Sequence, residues 1–326
     1  MRVDVQVQSW PMREPFEISR EVITSTETIL VALEDEQGHR GRGEGCGVTY
    51  AGETPASMSA QIEAVRPALE RGVDRTDLLE LLPAGGARNA LDAALWDLEA
   101  KRAGRSAFAL AGLGEPRALT TALTIGIRSP VEYEAFARAH ADYALLKVKV
   151  AAADPIQAIE AVRRGAPRSR LIVDPNQAWP VEVLREYTPR LVELGVVLLE
   201  QPIKVGEEAR LDGYHSAIPL CADELINEIG DLDKARGRFS VINIKLDKAG
   251  GLTNGFALAN AARAMGFEVM VGCMGGSSLS MAPAMVLGQL CAYVDLDGPL
   301  LHAKDVPNGL RYTNGEITPP HPDLWG

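Results

Sequence analysis

The chain has 326 residues, and its 44 acidic against 33 basic side chains give a formal net charge of −11 at pH 7. This acidic balance argues against nucleic-acid and anionic-membrane partners, because phosphate groups are bound mainly by clustered lysine and arginine. With 46% hydrophobic and 24% charged residues, the composition is that of a globular protein, which excludes a disordered or fibrous chain. The length suits one large barrel-type fold or two domains.

The sequence carries no pattern typical of membrane insertion, export or disulfide bonding. The first residues, MRVDVQVQSW, alternate polar and apolar side chains, and no apolar run reaches the ~18 to 20 residues that span a bilayer. The cysteines are widely spaced without a CxxC pair, which predicts free thiols and no thiolate zinc site. They are Cys46, Cys221, Cys273 and Cys291. We therefore expect a cytoplasmic protein.

Residues 1–112 are predicted to form an α+β domain. Apolar residues alternate with polar ones over 3–7, and the run 28–34 leads through a glycine-rich turn into 41–47, which predicts a small antiparallel sheet. Two segments, 56–71 and 88–102, carry helix start signals or apolar residues at helical spacing.

From residue 113 to 302, short aliphatic or β-branched runs alternate with amphipathic helices, as in parallel strands covered on their outer side. The predicted strands are residues 123–127, 144–150, 171–174, 196–200, 218–223, 241–245, 269–273 and 292–297. Eight such strands predict a closed β/α barrel. An open doubly wound sheet is the alternative, although no GxGxxG turn follows the first strand. The Pro- and Gly-rich segment 303–326 is expected to return to the N-terminal domain.

Ionisable residues recur at the carboxyl ends of the predicted strands, where barrels of this kind place their active sites. They are Lys147 and Lys149 on strand 2, Asp174 on strand 3, Glu200 on strand 4, Asp223 on strand 5, Lys245 on strand 6, and Asp295 with Asp297 on strand 8. From Lys149 to Lys245, consecutive members are separated by about one βα unit, so we expect these side chains to meet at one mouth of the barrel.

Three of these residues predict a metal site. Asp174, Glu200 and Asp223 end adjacent strands, which lie roughly 4.8 Å apart. Carboxylates this close repel, and one of them would take up a proton unless a cation neutralised the group. An all-oxygen ligand set favours a hard ion, and we expect Mg²⁺ because it keeps coordination positions for substrate. The alternative is that each acid only caps the following helix, which three successive acids flanked by lysines disfavour.

Two lysines predict proton-transfer chemistry. Lys149 and Lys245 end strands four apart in a ring of eight, so they are expected to face each other across the barrel mouth. A carbon between them could lose a proton on one face and regain one on the other, as in a racemase or epimerase. Each lysine must be partly neutral, so a pKa of about 10.4 must fall toward 7 or 8. The cation and the neighbouring ammonium of Lys147 are expected to lower it.

The segments LLKVKV, IVDPN, LLEQP, CADE and NIKLDKAGGLT resemble the enolase superfamily, in its muconate-lactonizing subgroup, over essentially the whole chain. The resemblance implies an N-terminal α+β capping domain over a (β/α)7β barrel. It also implies Mg²⁺ ligands and a Lys acid/base pair that carry out two-base 1,1-proton transfer through a metal-stabilised enediolate. The ligands are Asp174, Glu200 and Asp223, the pair is Lys149 and Lys245, and Asn176 of IVDPN has a supporting role.

More narrowly, GCM at 272–274 and DLDGP at 295–299 resemble the dipeptide epimerases of that superfamily. In that family the aspartates of DxD bind the substrate α-ammonium, which assigns Asp295 and Asp297 to substrate binding. Lys147 is separately predicted to bind substrate. Arg20 matches approximately a lid position at which related epimerases present an arginine to a glutamate side chain. The alternatives are a polar turn for the aspartates and a surface location for Arg20.

The leading function is a Mg²⁺-dependent epimerase of dipeptides such as L-Ala-D/L-Glu, in keeping with recycling of cell-wall peptides. A cycloisomerase, an o-succinylbenzoate synthase and an N-succinylamino acid racemase are alternatives within the superfamily, but none of them needs an acidic pair to receive an ammonium. A non-catalytic barrel should have lost a lysine or a ligand, and none is lost. The sequence leaves open which dipeptide is preferred and whether the chain forms a homo-oligomer.

Overall fold

An antiparallel sheet and the helices packed on it build the N-terminal unit of the computed structural model, which describes residues 1–151 and 154–326. The strands of this sheet are β1 (Arg2–Glu17), β2 (Val22–Glu34) and β3 (Arg40–Cys46). The helices are α1 (Pro55–Arg71), α2 (Arg75–Leu81), α3 (Gly86–Ala103) and α4 (Ala107–Leu110), and a short strand, β4 (Leu119–Thr120), follows them. The α+β capping unit predicted from the sequence is confirmed.

Glycines in β3 allow the sheet and helix α3 to approach closely. A Cβ at Gly43 would lie 2.1 Å from the carbonyl oxygen of Ala90, and one at Gly45 would lie 2.1 Å from that of Gly86. Real side-chain carbons do not fit at such distances, so the alternating glycines of GRGEG are required by helix packing. The side chain of Glu44, between them, points to the opposite face of the strand.

Eight parallel strands, counted over the ranges given above, form the barrel, in the order of the sequence. They are β5 (Leu123–Ile125), β6 (Leu145–Lys149), β7 (Arg170–Asp174), β8 (Val196–Glu200), β9 (Leu220–Ala222), β10 (Val241–Lys245), β11 (Glu268–Gly272) and β12 (Tyr293–Val294). Each lies within or beside one of the eight predicted runs. The first strand, β5, and the last strand, β12, are joined at their edges, because the N–H of Ala122 donates to the carbonyl of Val294 at 2.8 Å. The predicted barrel is therefore confirmed, and the open sheet is wrong.

Helices follow the barrel strands, and the longer ones cover the outside of the barrel. The helices are α5 (Pro130–Ala139), α6 (Pro155–Gly165), α7 (Val181–Glu193), α8 (Leu232–Ala235), α9 (Leu246–Ala249), α10 (Leu252–Ala264), α11 (Ser278–Gly288) and α12 (Gly298–Leu301). Short 3-10 helices lie at Thr49–Ala51, Glu208–Leu211 and Ile229–Asp231. Every residue of α11 is buried, because this helix packs against both β11 and the capping strand β3. Among the helices of the described ranges, none is long and apolar enough to cross a membrane.

Alternation along β6 decides where its lysines point. All five residues of LLKVK are buried. Leu145 belongs to the cluster inside the barrel, whereas Leu146 and Val148 belong to the core between strands and helices. Residues two apart on a strand share a face, so Lys147 and Lys149 lie on the inner face with Leu145. The strand thereby carries two ammonium groups into the barrel mouth.

The last part of the chain contacts the N-terminal unit. Strands β13 (Tyr312–Thr313) and β14 (Glu316–Ile317) form a small sheet with β4. The buried indole of Trp325 donates to the carbonyl of Ala93 in α3 at 3.0 Å. The guanidinium of Arg42 in β3 donates to the carbonyl of Leu324 at 2.5 Å. These bonds attach the C-terminal residues to the capping unit.

Candidate active site

A cavity of about 400 Å³ lies where the capping unit covers the carboxyl ends of the barrel strands. The ionisable and amide side chains that line it include Arg20, Tyr50, Lys147, Lys149, Asn176, Glu224, Lys245, Asp295 and Asp297. The structure thus brings together residues from nearly the whole length of the chain, from Arg20 to Asp297. The remaining predicted residues, the three acids of β7 to β9, are buried in contact with the lysines of this cavity.

The three carboxylates predicted as metal ligands are completely buried. Asp174 and Glu200 are the last residues of β7 and β8, and Asp223 follows β9 directly. The ammonium of Lys147 lies between the first two, 3.2 Å from Asp174 Oδ2 and 2.8 Å from Glu200 Oε2. Asp223 is bound by two other lysines, with Lys245 2.7 Å from its Oδ2. Lysine ammoniums therefore supply the counter-charges of these acids.

Asp174, Glu200 and Asp223 offer oxygen donors only, which are the ligands that a hard divalent cation prefers. Glu200 Oε2 and Asp223 Oδ1 are buried, and neither accepts a hydrogen bond of normal geometry, although an ammonium lies 2.8 Å from each. Burial raises the pKa of Glu200 to about 7, against the opposing pull of Lys147. Over the described residues, no group of three acidic, His or Cys side chains converges into a ready-made metal cage. The intervening lysines keep the three acids apart.

The two predicted bases are held at the cavity by carboxylates. The ammonium of Lys149 lies 2.6 Å from Asp174 Oδ2 and donates to Asn176 Oδ1 at 3.0 Å. Burial lowers the pKa of Lys245, but the negative groups around it, Asp223 first and then Glu200, together outweigh burial, and the pKa is raised above its ordinary value. The lowering predicted from the sequence invokes a bound cation, so it stays a prediction, while the ion pair with Asp223 stabilises the ammonium.

The aspartates of DLDGP lie in a turn. The predicted strand 292–297 is wrong at its end, since β12 stops at Val294 and Asp297 has φ −96° and ψ 4°, which is not extended. Both nevertheless line the cavity. Asp295 Oδ2 accepts from Lys147 at 2.8 Å, and Asp297 Oδ2 accepts from the backbone N–H of Thr124 at 2.6 Å. Burial, and then the neighbouring Asp295, raise the pKa of Asp297 to about 7, so a cation beside this pair would be favourable.

The predicted lid residue Arg20 lines the same cavity. Arg20 lies in the turn between β1 and β2, and its guanidinium is 5.3 Å above the ring of Tyr50, which belongs to the short 3-10 helix Thr49–Ala51. Arg20 Nη2 is 3.4 Å from Glu224 Oε1. The guanidinium is therefore a wall of the cavity and not an isolated surface charge.

Sequence reasoning missed two ionisable residues close to Asp223. The ammonium of Lys248 lies 2.8 Å from Asp223 Oδ1 and donates to the carbonyl of Ile226 at 2.9 Å. Glu224 directly follows Asp223, is buried, and contacts both Arg20 and Asn176. Lys248 belongs to the motif DKAGG and Glu224 to the motif CADE, so membership of these motifs was the sequence feature that could have identified them.

It also missed buried acids that join the capping unit to the barrel. Glu44 of β3 accepts hydrogen bonds from the indole of Trp10 and the hydroxyl of Thr28, both at 2.8 Å, and from the hydroxyl of Ser277. Asp247, two residues beyond Lys245, accepts from the backbone N–H of Cys46 at 2.9 Å. These bonds hold the cap over the ends of strands β10 and β11.

Two family models match the chain. Residues 1–112 match the mandelate racemase / muconate lactonizing enzyme N-terminal domain, and residues 132–323 match the enolase C-terminal domain-like model. L-Ala-D/L-Glu epimerase of Escherichia coli (strain K12) is 41% identical over 97% of this chain and 98% of the relative. N-acetyl-D-glutamate racemase of a Pseudoalteromonas species is 40% identical over 91% of this chain and 95% of the relative.

Solved structures of similar proteins contain dipeptides. An enolase family member from Agrobacterium tumefaciens with homology to dipeptide epimerases, with bound sodium and L-Ala-L-Glu, superposes with a TM-score of 0.97. It is 37% identical, and the match covers 99% of both chains. A dipeptide epimerase from Methylococcus capsulatus, in complex with Mg and L-Arg-D-Lys, has a TM-score of 0.89 and 31% identity over 99% of this chain and 98% of that chain.

Proposed function

Because this chain belongs to the enolase superfamily, in the group of mandelate racemase and muconate lactonizing enzyme, we propose that it is a dipeptide epimerase that inverts the α-carbon next to the free carboxylate. One observation carries the proposal. A single cavity combines lysines from β6 and β10, on opposite sides of the barrel, with an acidic pair on the turn after β12. A dipeptide supplies the groups that such a cavity would receive: a carboxylate, an acidic C–H and an ammonium.

The carboxylate end of the substrate belongs at the acids of β7 to β9. We assign Asp174, Glu200 and Asp223 as the residues that would hold a divalent cation, because they are buried, all-oxygen donors on adjacent strands. When bound, that cation would neutralise the substrate carboxylate and stabilise the negative charge that develops on it. Lys147, 2.8 Å from Glu200, adds a second positive charge beside the same group.

Proton transfer is assigned to Lys149 and Lys245. Strands β6 and β10 are four apart in the ring of eight, so the two side chains approach a substrate between them from opposite faces. One lysine in its neutral form removes the α-proton, and the other, as an ammonium, delivers a proton to the opposite face. The roles exchange for the other epimer. Asp174 and Asp223 orient the two amino groups through their contacts of 2.6 and 2.7 Å.

The amino end of the substrate is assigned to Asp295 and Asp297. Lys147 already contacts Asp295, so Asp297 is the carboxylate whose charge is less well compensated. A substrate ammonium there would relieve the repulsion between the two acids. An amide-capped or acylated nitrogen would not, and this difference favours dipeptides over N-acylamino acids.

Replacing Asp297 with asparagine tests this assignment. The variant is expected to raise KM for free dipeptides by roughly tenfold to 150-fold, the loss of a charge-assisted hydrogen bond of ~1.5 to 3 kcal/mol. The effect on KM for N-acetylated amino acids should be far smaller, because they bring no positive charge. Steady-state kinetics with both substrate types on the same variant measure the difference. Equal losses would mean that Asp297 only shapes the turn through its bond to Thr124.

An N-acylamino acid racemase is the second candidate, and the similarity to N-acetyl-D-glutamate racemase favours it. A single experiment separates the two. Dipeptides, N-acetylamino acids and N-succinylamino acids are incubated with the protein and Mg²⁺ in D2O, and α-proton exchange is followed by mass spectrometry. We expect exchange in dipeptides, at the residue that carries the free carboxylate. Exchange confined to N-acylated amino acids would replace the proposed function by the second candidate.

A further inference from the structure

Glu224 is an ionisable residue of the cavity that the proposed mechanism does not use. Its side chain is 4% exposed, and its Oε2 is buried without any hydrogen-bond partner. The other oxygen, Oε1, has only long contacts, 3.4 Å to Arg20 and 3.5 Å to the amide of Asn176. A buried carboxylate with such weak partners is costly unless it serves a purpose at the site.

Contacts connect Glu224 with the predicted base Lys149 on one side and with Arg20 on the other. Lys149 donates to Asn176, Asn176 reaches Glu224, and Glu224 reaches Arg20, so these four residues form a continuous row from one base to the lid. Tyr50 faces the same row, since Arg20 lies over its ring. Under the proposed function the reacting carbon lies between Lys149 and Lys245, and Glu224 and Arg20 are charged residues of the same cavity wall, connected to Lys149 through Asn176. These two opposite charges are therefore available to the side chain of the residue that is epimerised.

We propose that Glu224 sets the charge preference of this side-chain pocket by competing with an acidic substrate side chain for the guanidinium of Arg20. The inference rests on the proposed function, because it concerns the side chain at the inverted carbon. Arg20 is 37% exposed and can turn toward a substrate, whereas Glu224 is fixed in the wall. An acidic side chain must displace Glu224 from Arg20, which leaves a second carboxylate uncompensated. A neutral side chain requires no such exchange.

The test compares two substrates of the same shape. L-Ala-L-Glu and L-Ala-L-Gln differ only in the charge of the side chain, so the ratio of their kcat/KM values cancels any general damage to catalysis. Glu224→Gln is expected to raise this ratio about fivefold in favour of L-Ala-L-Glu, a factor that corresponds to about 1 kcal/mol. Glu21→Gln removes an exposed carboxylate from the same cavity and is the matched control, with an expected change below about twofold.

Competition through Arg20 leads to a second expected result. In an Arg20→Met background, Glu224→Gln should change the ratio by less than about twofold, because the shared partner is gone. An unchanged ratio in the single variant would overturn the proposal, and so would a gain that persists in the Arg20→Met background. The ratio of dissociation constants for the two dipeptides, measured by calorimetry, needs no turnover. It therefore tests the role of Glu224 even if the α-proton exchange experiment in D2O were to reject the epimerase function.

Discussion

Replacing either Lys149 or Lys245 with alanine is expected to lower the rate of epimerisation by about 10²-fold to 10⁴-fold, the usual contribution of general acid/base catalysis. Inversion needs a proton acceptor on one face of the substrate carbon and a proton donor on the other. Each variant keeps one of the two, because the lysines stand on β6 and β10 at opposite sides of the barrel. We therefore expect each variant to exchange the α-proton of one epimer with solvent, and the two variants to differ in which epimer that is.

The measurement follows inversion by polarimetry and α-proton exchange by NMR in D2O, each started from the pure L,L and L,D dipeptides. Lys234→Ala is a suitable control, since this lysine pairs with Asp231 at the surface, outside the cavity. Inversion at the wild-type rate in either active-site variant would contradict the two-base mechanism. Exchange of the same epimer by both variants would contradict the assignment of the lysines to opposite faces.

Removal of divalent cations is expected to abolish epimerisation, and addition of Mg²⁺ is expected to restore it. Stabilisation of charge at the substrate carboxylate by a bound cation contributes several kcal/mol to the transition state. A lysine alone cannot replace it, because the ammonium of Lys147 is already shared among Asp174, Glu200 and Asp295. Activity is measured after dialysis against EDTA, and again after titration with Mg²⁺. Full activity of the metal-free protein would contradict the assignment of the three acids.

Glu200→Gln tests the site at the level of one residue. This change keeps the shape of the side chain and its contact with Asn243, whose amide donates to Glu200 Oε1 at 2.9 Å, but it removes one negative charge from the group. The affinity for Mg²⁺, measured by calorimetry, should fall by tenfold or more, about 1.4 kcal/mol. Asp212→Asn removes a carboxylate that pairs with Arg238 at the surface and should leave the affinity unchanged. Equal affinities of the two variants would exclude Glu200 as a ligand.

Local sequence patterns were sufficient for the barrel and for the direction of its lysines. A strand has a period of two, so the apolar run around Lys147 and Lys149 could place both ammonium groups on the inner face before any contact was known. Parallel strands carry helices outside and side chains inside, so the acids at 174, 200 and 223 were predicted to share one end of the barrel. These conclusions depend on backbone geometry alone, and they needed no knowledge of which side chains touch.

Tertiary structure decided everything that depends on contacts between distant residues. Sequence reasoning did not foresee that the ammonium of Lys245 lies 2.7 Å from Asp223 Oδ2. It expected an extended end for the last strand, whereas a turn carries Asp295 and Asp297 into the cavity. It could not foresee that Glu224 contacts Arg20. Electrostatic energies depend on distance and burial, and neither is encoded in local periodicity, so only the folded chain determines which charges compensate one another.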